Sequence, residues 1–107
     1  MSNLTRRQKL EAMLTSDAKD ELLRYGLAME YASSNDHDTA VQQFRVLLEQ
    51  TPSKPYIPAY LMAAQSLQKL GKTGEAVLLL KEGIPAATKQ GDLHAAGEME
   101  TLLDSLE

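Results

Sequence analysis

The chain has 107 residues, 43% of them apolar and 24% charged, with a net charge of −4 and no cysteine. That length fits one domain with a modest core, and the composition excludes wholesale disorder. The acidic balance argues against nucleic acid as the main partner, and the lack of cysteine excludes disulfides and thiolate chemistry.

No apolar run approaches the roughly 20 residues that span a bilayer. The N-terminal MSNLTRRQKLEAM lacks the apolar stretch of a secretory signal. A cytoplasmic protein without a membrane partner is therefore expected.

The apolar period is helical throughout, and good helix formers (Ala, Leu, Glu, Gln, Lys) dominate. A first helix is predicted over 4–14, with Leu4, Leu10, Met13 and Leu14 sharing a face. Thr15, Ser16 and Asp17 should interrupt it, with Ser16 or Asp17 capping a second helix that runs to Ser33. There Leu23, Leu27 and Tyr31 recur at four-residue spacing, with the small Ala28 beside them. Ser33, Ser34, Asn35 and Asp36 form a turn, and Asp36 is the expected N-cap of a third helix. That helix carries Ala40, Val41, Phe44, Leu47 and Leu48 as an amphipathic stripe and ends before Pro52.

Pro52, Pro55 and Pro58 make the next segment a stiff connector, because residues before proline avoid the helical region. Pro58 suits the first position of a fourth helix, which carries Tyr60, Ala63, Ala64 and Leu67 and stops near Gly71. A fifth helix begins near Thr73 and carries Ala76, Val77, Leu80 and Ile84. Pro85 lies inside it, and an interior proline costs about 3 kcal/mol in a regular helix, so a kink or break near Gly83–Pro85 is predicted. Gly91 suits a left-handed cap. Asp92 then caps a last helix with Leu93, Ala96, Met99, Leu102, Leu103 and Leu106 on one face. All five aromatics (Tyr25, Tyr31, Phe44, Tyr56 and Tyr60) lie in the middle of the chain, so the C-terminal third must pack with aliphatic side chains.

The two halves align when shifted by 36 residues: Ala28 falls on Ala64, Tyr31 on Leu67, Ala40 on Ala76, Val41 on Val77, Phe44 on Leu80 and Arg45 on Lys81. Within the first half, Arg24-x2-Leu27-Ala28-x2-Tyr31, Ala40-x3-Phe44 and Pro52 follow the tetratricopeptide pattern Trp-x2-Leu-Gly-x2-Tyr, Ala-x3-Phe and Pro. The chain thus resembles a tetratricopeptide-repeat protein from about Glu21 to Thr88. Arg24 replaces the aromatic and Ala28 the glycine. In the second repeat Tyr60, Ala64 and Ala76 fit, while Ala63 replaces a leucine and Gly83 an alanine. The stretches Glu82-Gly83-Ile84, Ala86-Ala87, Gly91-Asp92 and Glu98-Met99 are similar to small bacterial members of this family.

The resemblance implies an all-α fold of about five to six helices, a right-handed superhelix of antiparallel helix pairs. Its expected parts are an N-terminal helix (4–14), one repeat over 18–52, a second over 56–90 and a capping helix over 92–106, in one domain covering 1–107. Two repeats are fewer than the three such stacks usually need, so the terminal helices must act as caps or the protein must pair with itself.

No motif encodes an enzyme. His37 and His94 are far apart, without the three or four clustered ligands a metal site requires. No serine or cysteine sits in a nucleophile motif. Gly71-Lys72-Thr73 is similar to the end of a phosphate loop, but the upstream glycine position holds Ser66, and an interhelical turn is expected. Neither cofactor nor metal is expected. Arg6, Arg7 and Lys9 crowd one end of the chain, while Asp92, Glu98, Glu100, Asp104 and Glu107 crowd the other. Solvated faces are the simple reading, and head-to-tail attraction between subunits is the sharper one.

In tetratricopeptide proteins the first helix of each pair lines the concave face. The resemblance puts Leu22, Tyr25, Met29 and Ser33 there in the first repeat, and Pro58, Leu61, Met62, Gln65 and Lys69 in the second. Tyr25, Met29, Leu61 and Met62 make this expected groove apolar, suited to a peptide or helix of a partner protein. Flanking helices could instead cover the surface, or it could serve a homodimer. The family's lysine and asparagine clamp for C-terminal carboxylates falls on Tyr25, Met29 and Met62 here. The clamp is therefore missing, and chaperone tails ending in Glu-Glu-Val-Asp are not expected to bind.

Overall fold

The computed structural model describes residues 5–107, with six helices and no strand among them: α1 (Arg6–Ser16), α2 (Glu21–Ser33), α3 (His37–Gln50), α4 (Pro58–Lys69), α5 (Thr73–Lys89) and α6 (Leu93–Leu106). The all-α expectation holds. Leu4, assigned to the first helix from sequence, lies outside the described residues.

The start of the chain differs from the sequence expectation. Thr5 caps α1 through a reciprocal pair: Gln8 N donates to Thr5 Oγ1 (3.1 Å) and Thr5 N donates to Gln8 Oε1 (2.9 Å). Thr15 and Ser16 extend α1 instead of ending it, because the Thr15 hydroxyl turns back to donate to Glu11 O (3.1 Å). The cap of α2 is Asp20, whose Oδ1 accepts from Leu23 N (3.0 Å). Of the expected α1 face, Leu14 is buried and Leu10 half-buried under Gly26, whereas Met13 is 53% exposed.

Three interhelical turns share one construction. Asn35, Gly71 and Gly91 adopt positive φ (63°, 76° and 79°). In each turn the next residue's N–H reaches back to a carbonyl five residues earlier: Asp36 to Tyr31 (2.9 Å), Lys72 to Leu67 (2.8 Å) and Asp92 to Ala87 (2.9 Å). This is the Schellman closure, which satisfies carbonyls that a helix end would leave free. The first two turns match residue for residue at the 36-residue shift. Asp36 and Asp92 then cap α3 and α6 by accepting from Thr39 N (3.3 Å) and Ala95 N (3.1 Å).

The connector between α3 and α4 is anchored by Thr51, which is buried. Its hydroxyl donates to Leu47 O (3.0 Å) and accepts from Tyr56 N (3.1 Å). Pro58 opens α4 as expected. Pro85 does not break α5, which runs unbroken from Thr73 to Lys89. Both Pro85 and Lys81, whose carbonyl loses its partner, are exposed, so water can satisfy the freed group.

Phe44, Leu47, Leu67, Leu80 and Met99 are the largest fully buried side chains. Ala28, Ala40, Ala64 and Ala76, paired by the 36-residue shift, are all fully buried and let neighbouring helices approach closely. Leu93, expected on the core face of α6, is 69% exposed, because it lies a turn ahead of Ala96, beside the turn that precedes α6.

Each helix packs against its chain neighbours. In addition α2 touches α4, and α4 touches α6. The backbones of α1, α3 and α5 do not approach one another among the described residues. The even-numbered helices therefore form one continuous layer, and the molecule is elongated, 49 × 30 × 20 Å.

Candidate functional site

The layer of even helices holds two adjoining hollows. The first lies between α2 and α4 and has a volume of about 210 Å³. Met29 and Met62 contribute its apolar side chains, with Ala32 beside them. Ser33, His37, Gln65, Ser66 and Lys69 supply hydrogen-bonding groups around them. The second, of about 370 Å³, lies between α4 and α6, where Leu61 and Leu102 face Gln65, Glu98, Thr101 and Ser105. Gln65 borders both hollows, so together they make a groove across the layer.

Helical spacing explains how these side chains meet. Met29 and Ser33 are four apart on α2, while Met62, Gln65 and Lys69 follow at three and four on α4. The Ser33 hydroxyl donates to Met29 O (2.9 Å), keeping it against its own helix. His37, the first residue of α3, leans toward α4, with its Nδ1 3.0 Å from Ser66 Oγ. Ser66 is itself buried at 3% exposure, so this contact satisfies a polar group in the core wall. No carboxylate bonds the other ring nitrogen of His37 among the described residues, so the pair has no orienting third group of the kind nucleophilic catalysis uses. Among the described residues no three His, Asp or Glu side chains gather as metal ligands would. No described helix is long and apolar enough to cross a membrane.

Five of the residues that sequence assigned to the groove, Met29, Ser33, Met62, Gln65 and Lys69, surround the first hollow, and Leu61 joins Gln65 in the second. Two line neither. Leu22 stands 70% exposed at the start of α2. Tyr25 turns into an aromatic cluster, its ring centroid 5.9 Å from that of Phe44 and 5.2 Å from that of Tyr56. Burial foremost, and then neighbouring Tyr56, pushes the Tyr25 phenol pKa up from 10.0. Pro58 is exposed and borders a separate depression with Tyr56 and Gln90.

Sequence reasoning did not find His37, Ser66 or the α6 wall. The α6 residues had a usable signal: Glu98, Thr101, Leu102 and Ser105 sit at offsets 0, 3, 4 and 7, one side of a helix. Nothing in the sequence pairs His37 with Ser66. The helix α6 borders the groove and does not close over it, and α1 packs on α2 alone among the helices.

Arg24, which stands where the tetratricopeptide pattern has an aromatic, ties three segments together. Its guanidinium donates to Gln43 Oε1 (2.7 Å) on α3 and to Ala18 O (3.1 Å) in the α1–α2 loop.

No protein-family model matches the chain, and no curated protein matches it. The fold is similar to the solution structure of protein BPP2914 from Bordetella parapertussis, with a TM-score of 0.82 and 29% sequence identity over 96% of this chain and 88% of that one.

Proposed function

We propose that this chain is a non-enzymatic protein-interaction module of tetratricopeptide type, whose even-numbered helices receive an amphipathic helix or peptide of another protein. The observation that carries the reading is the meeting of Met29 and Met62 in one open hollow, framed by hydrogen-bonding side chains and continued by Leu61 and Leu102. Apolar contact with a polar rim is the composition of a helix-receiving groove, and methionine adapts to varied partner shapes. Two further features support a repeat architecture, with its right-handed stacking of helix pairs. The Asn35 and Gly71 turns match at the 36-residue shift, and only the even helices touch at second-neighbour range.

Peptides selected from a random library on the immobilised protein test the reading. Selected sequences should be amphipathic, should perturb the amide signals of α2, α4 and α6, and should lose binding to the Met29→Lys/Met62→Lys chain. Peptides that bind that variant equally well would refute the groove. Both methionines are half-buried at the surface, so the variant should keep its circular dichroism.

A further inference from the structure

The outer faces of the two terminal helices match each other. On α1, Arg6, Lys9 and Met13 lie at offsets 0, 3 and 7 and are all exposed. On α6, Leu93, Gly97, Glu100 and Asp104 lie at offsets 0, 4, 7 and 11 and are exposed too. Run antiparallel, the intervals coincide: Met13 faces Leu93, Lys9 faces Gly97 and Arg6 faces Glu100. Met13 and Leu93, 53% and 69% exposed, are the most exposed large apolar residues on their helices. A Cβ on Gly97 would meet nothing within 4 Å, which leaves room for a lysine stem to cross.

The charges agree with this register. On α6, Glu98 pairs with His94 (3.2 Å), and just past its end Glu107 pairs with Lys81 (3.0 Å), while Glu100 and Asp104 have no ion-pair partner among the described residues. On α1, Arg7 leans over the Tyr31 ring and Lys9 has no ion-pair partner among the described residues. Arg6 reaches Glu30 (2.6 Å) through Nε, yet its side chain remains 71% exposed.

We infer that α1 of a second copy of this chain docks on the outer face of α6, antiparallel to it, adding one more helix to the series. The occupant is a second copy because the complement lies on the same chain, in charge, apolar position and interval. Such a contact is heterologous and does not close on itself, so it builds open head-to-tail chains. One helix face against another buries less than the roughly 1,200 Å² of stable interfaces, so the association is weak and concentration-dependent. Lys9 and Glu100 also make it sensitive to salt.

Disulfide trapping of the full chain tests this, since the native sequence has no cysteine. Met13→Cys and Leu93→Cys chains are mixed at high concentration and low salt, then oxidised. The mixed disulfide should exceed its statistical share severalfold. Adding Lys9→Glu to the first chain should remove the excess, and adding Glu100→Lys to the second, one turn from residue 9 across Gly97, should restore part of it although it also faces Arg6. Neither substitution touches an ion pair of the described residues, so both chains should keep their circular dichroism. A statistical product mixture that ignores the charge changes would overturn the inference. So would sedimentation showing monomer at every concentration, or self-association that survives Lys9→Glu and is lost with Met29→Lys.

Discussion

Gly83 and Tyr60 pack so closely that a Cβ built on Gly83 would lie 2.7 Å from Tyr60 Cγ and 2.8 Å from Tyr60 Cβ. The same Cβ would come 2.7 Å from Met99 Sδ. Methionine can move aside, but the root of an aromatic side chain that is 8% exposed has little room. Gly83→Ala therefore sets two effects against each other: about 1 kcal/mol of helix propensity gained, and about 1–3 kcal/mol of overpacking strain. Strain should win. Urea denaturation is expected to show a lower midpoint for Gly83→Ala, and a larger drop for Gly83→Val.

Lys72 holds the same backbone conformation before α5 (φ −93°, ψ 60°) that Asp36 and Asp92 hold before α3 and α6, but it offers no side-chain cap. Lys72→Asp should supply that acceptor and stabilise the fold by about 0.5–1 kcal/mol. Its loose, exposed pairing with Asp38 (3.9 Å) contributes little, so losing it should not cancel the gain. Thermal melts of the two chains decide the matter.

The fold was largely legible because its stripes are helical and its breaks carry glycine, proline or aspartate. The Ala28/Ala64 and Ala40/Ala76 pairs, the Asp36 and Asp92 caps and the Pro58 start could all be read from residue type and spacing. Thr15 and Asp20 could not be sorted, because a hydroxyl can cap the next helix or bond back into its own, and only tertiary placement decides. Pro85 was misread for a similar reason. The cost of an interior proline depends on whether the freed carbonyl sees water, and here it lies on an exposed flank. For the groove, the family resemblance put Tyr25, Met29 and Met62 on one layer, but it could not say that Tyr25 would turn inward to Phe44 and Tyr56.

Among the helices, α1 packs only on α2, and Leu14 is its one buried residue. Leu10 adds a half-buried apolar contact under Gly26, and the rest of its attachment is polar, including Tyr31 OH donating to Glu11 (2.8 Å) and Arg6 reaching Glu30. Its amides should exchange with solvent well before those of α3, α4 and α5, and faster at high salt. Leu14→Ala, at a cost of about 2–3 kcal/mol, should release α1 while leaving the other helices protected.

Tyr25, Tyr56 and Tyr60 have pKa values raised above 10.0, each chiefly by burial. Tyr31 is raised as well, chiefly because its hydroxyl donates to Glu11. The folded state thus holds these phenols protonated where the unfolded chain would ionise them. Their contribution is complete below the unfolded value of about 10 and is lost as pH rises through the folded values. Stability measured by denaturant should therefore be flat in this respect at neutral pH and fall above about pH 10. Tyr25→Phe should make that fall shallower.

The helix α4 touches α2, α3, α5 and α6, whereas α1 and α2 never meet α5 or α6 at backbone range. It is the hinge pin of the molecule. Damage at either end can stay local, as the fraying of α1 would, but a defect in α4 divides the chain into two fragments, each with an open apolar flank. Tolerance to substitution should therefore rise outward from Leu67 toward both ends, and the helix that would carry Met62 and Gln65 to a partner is also the one the rest of the fold can least do without.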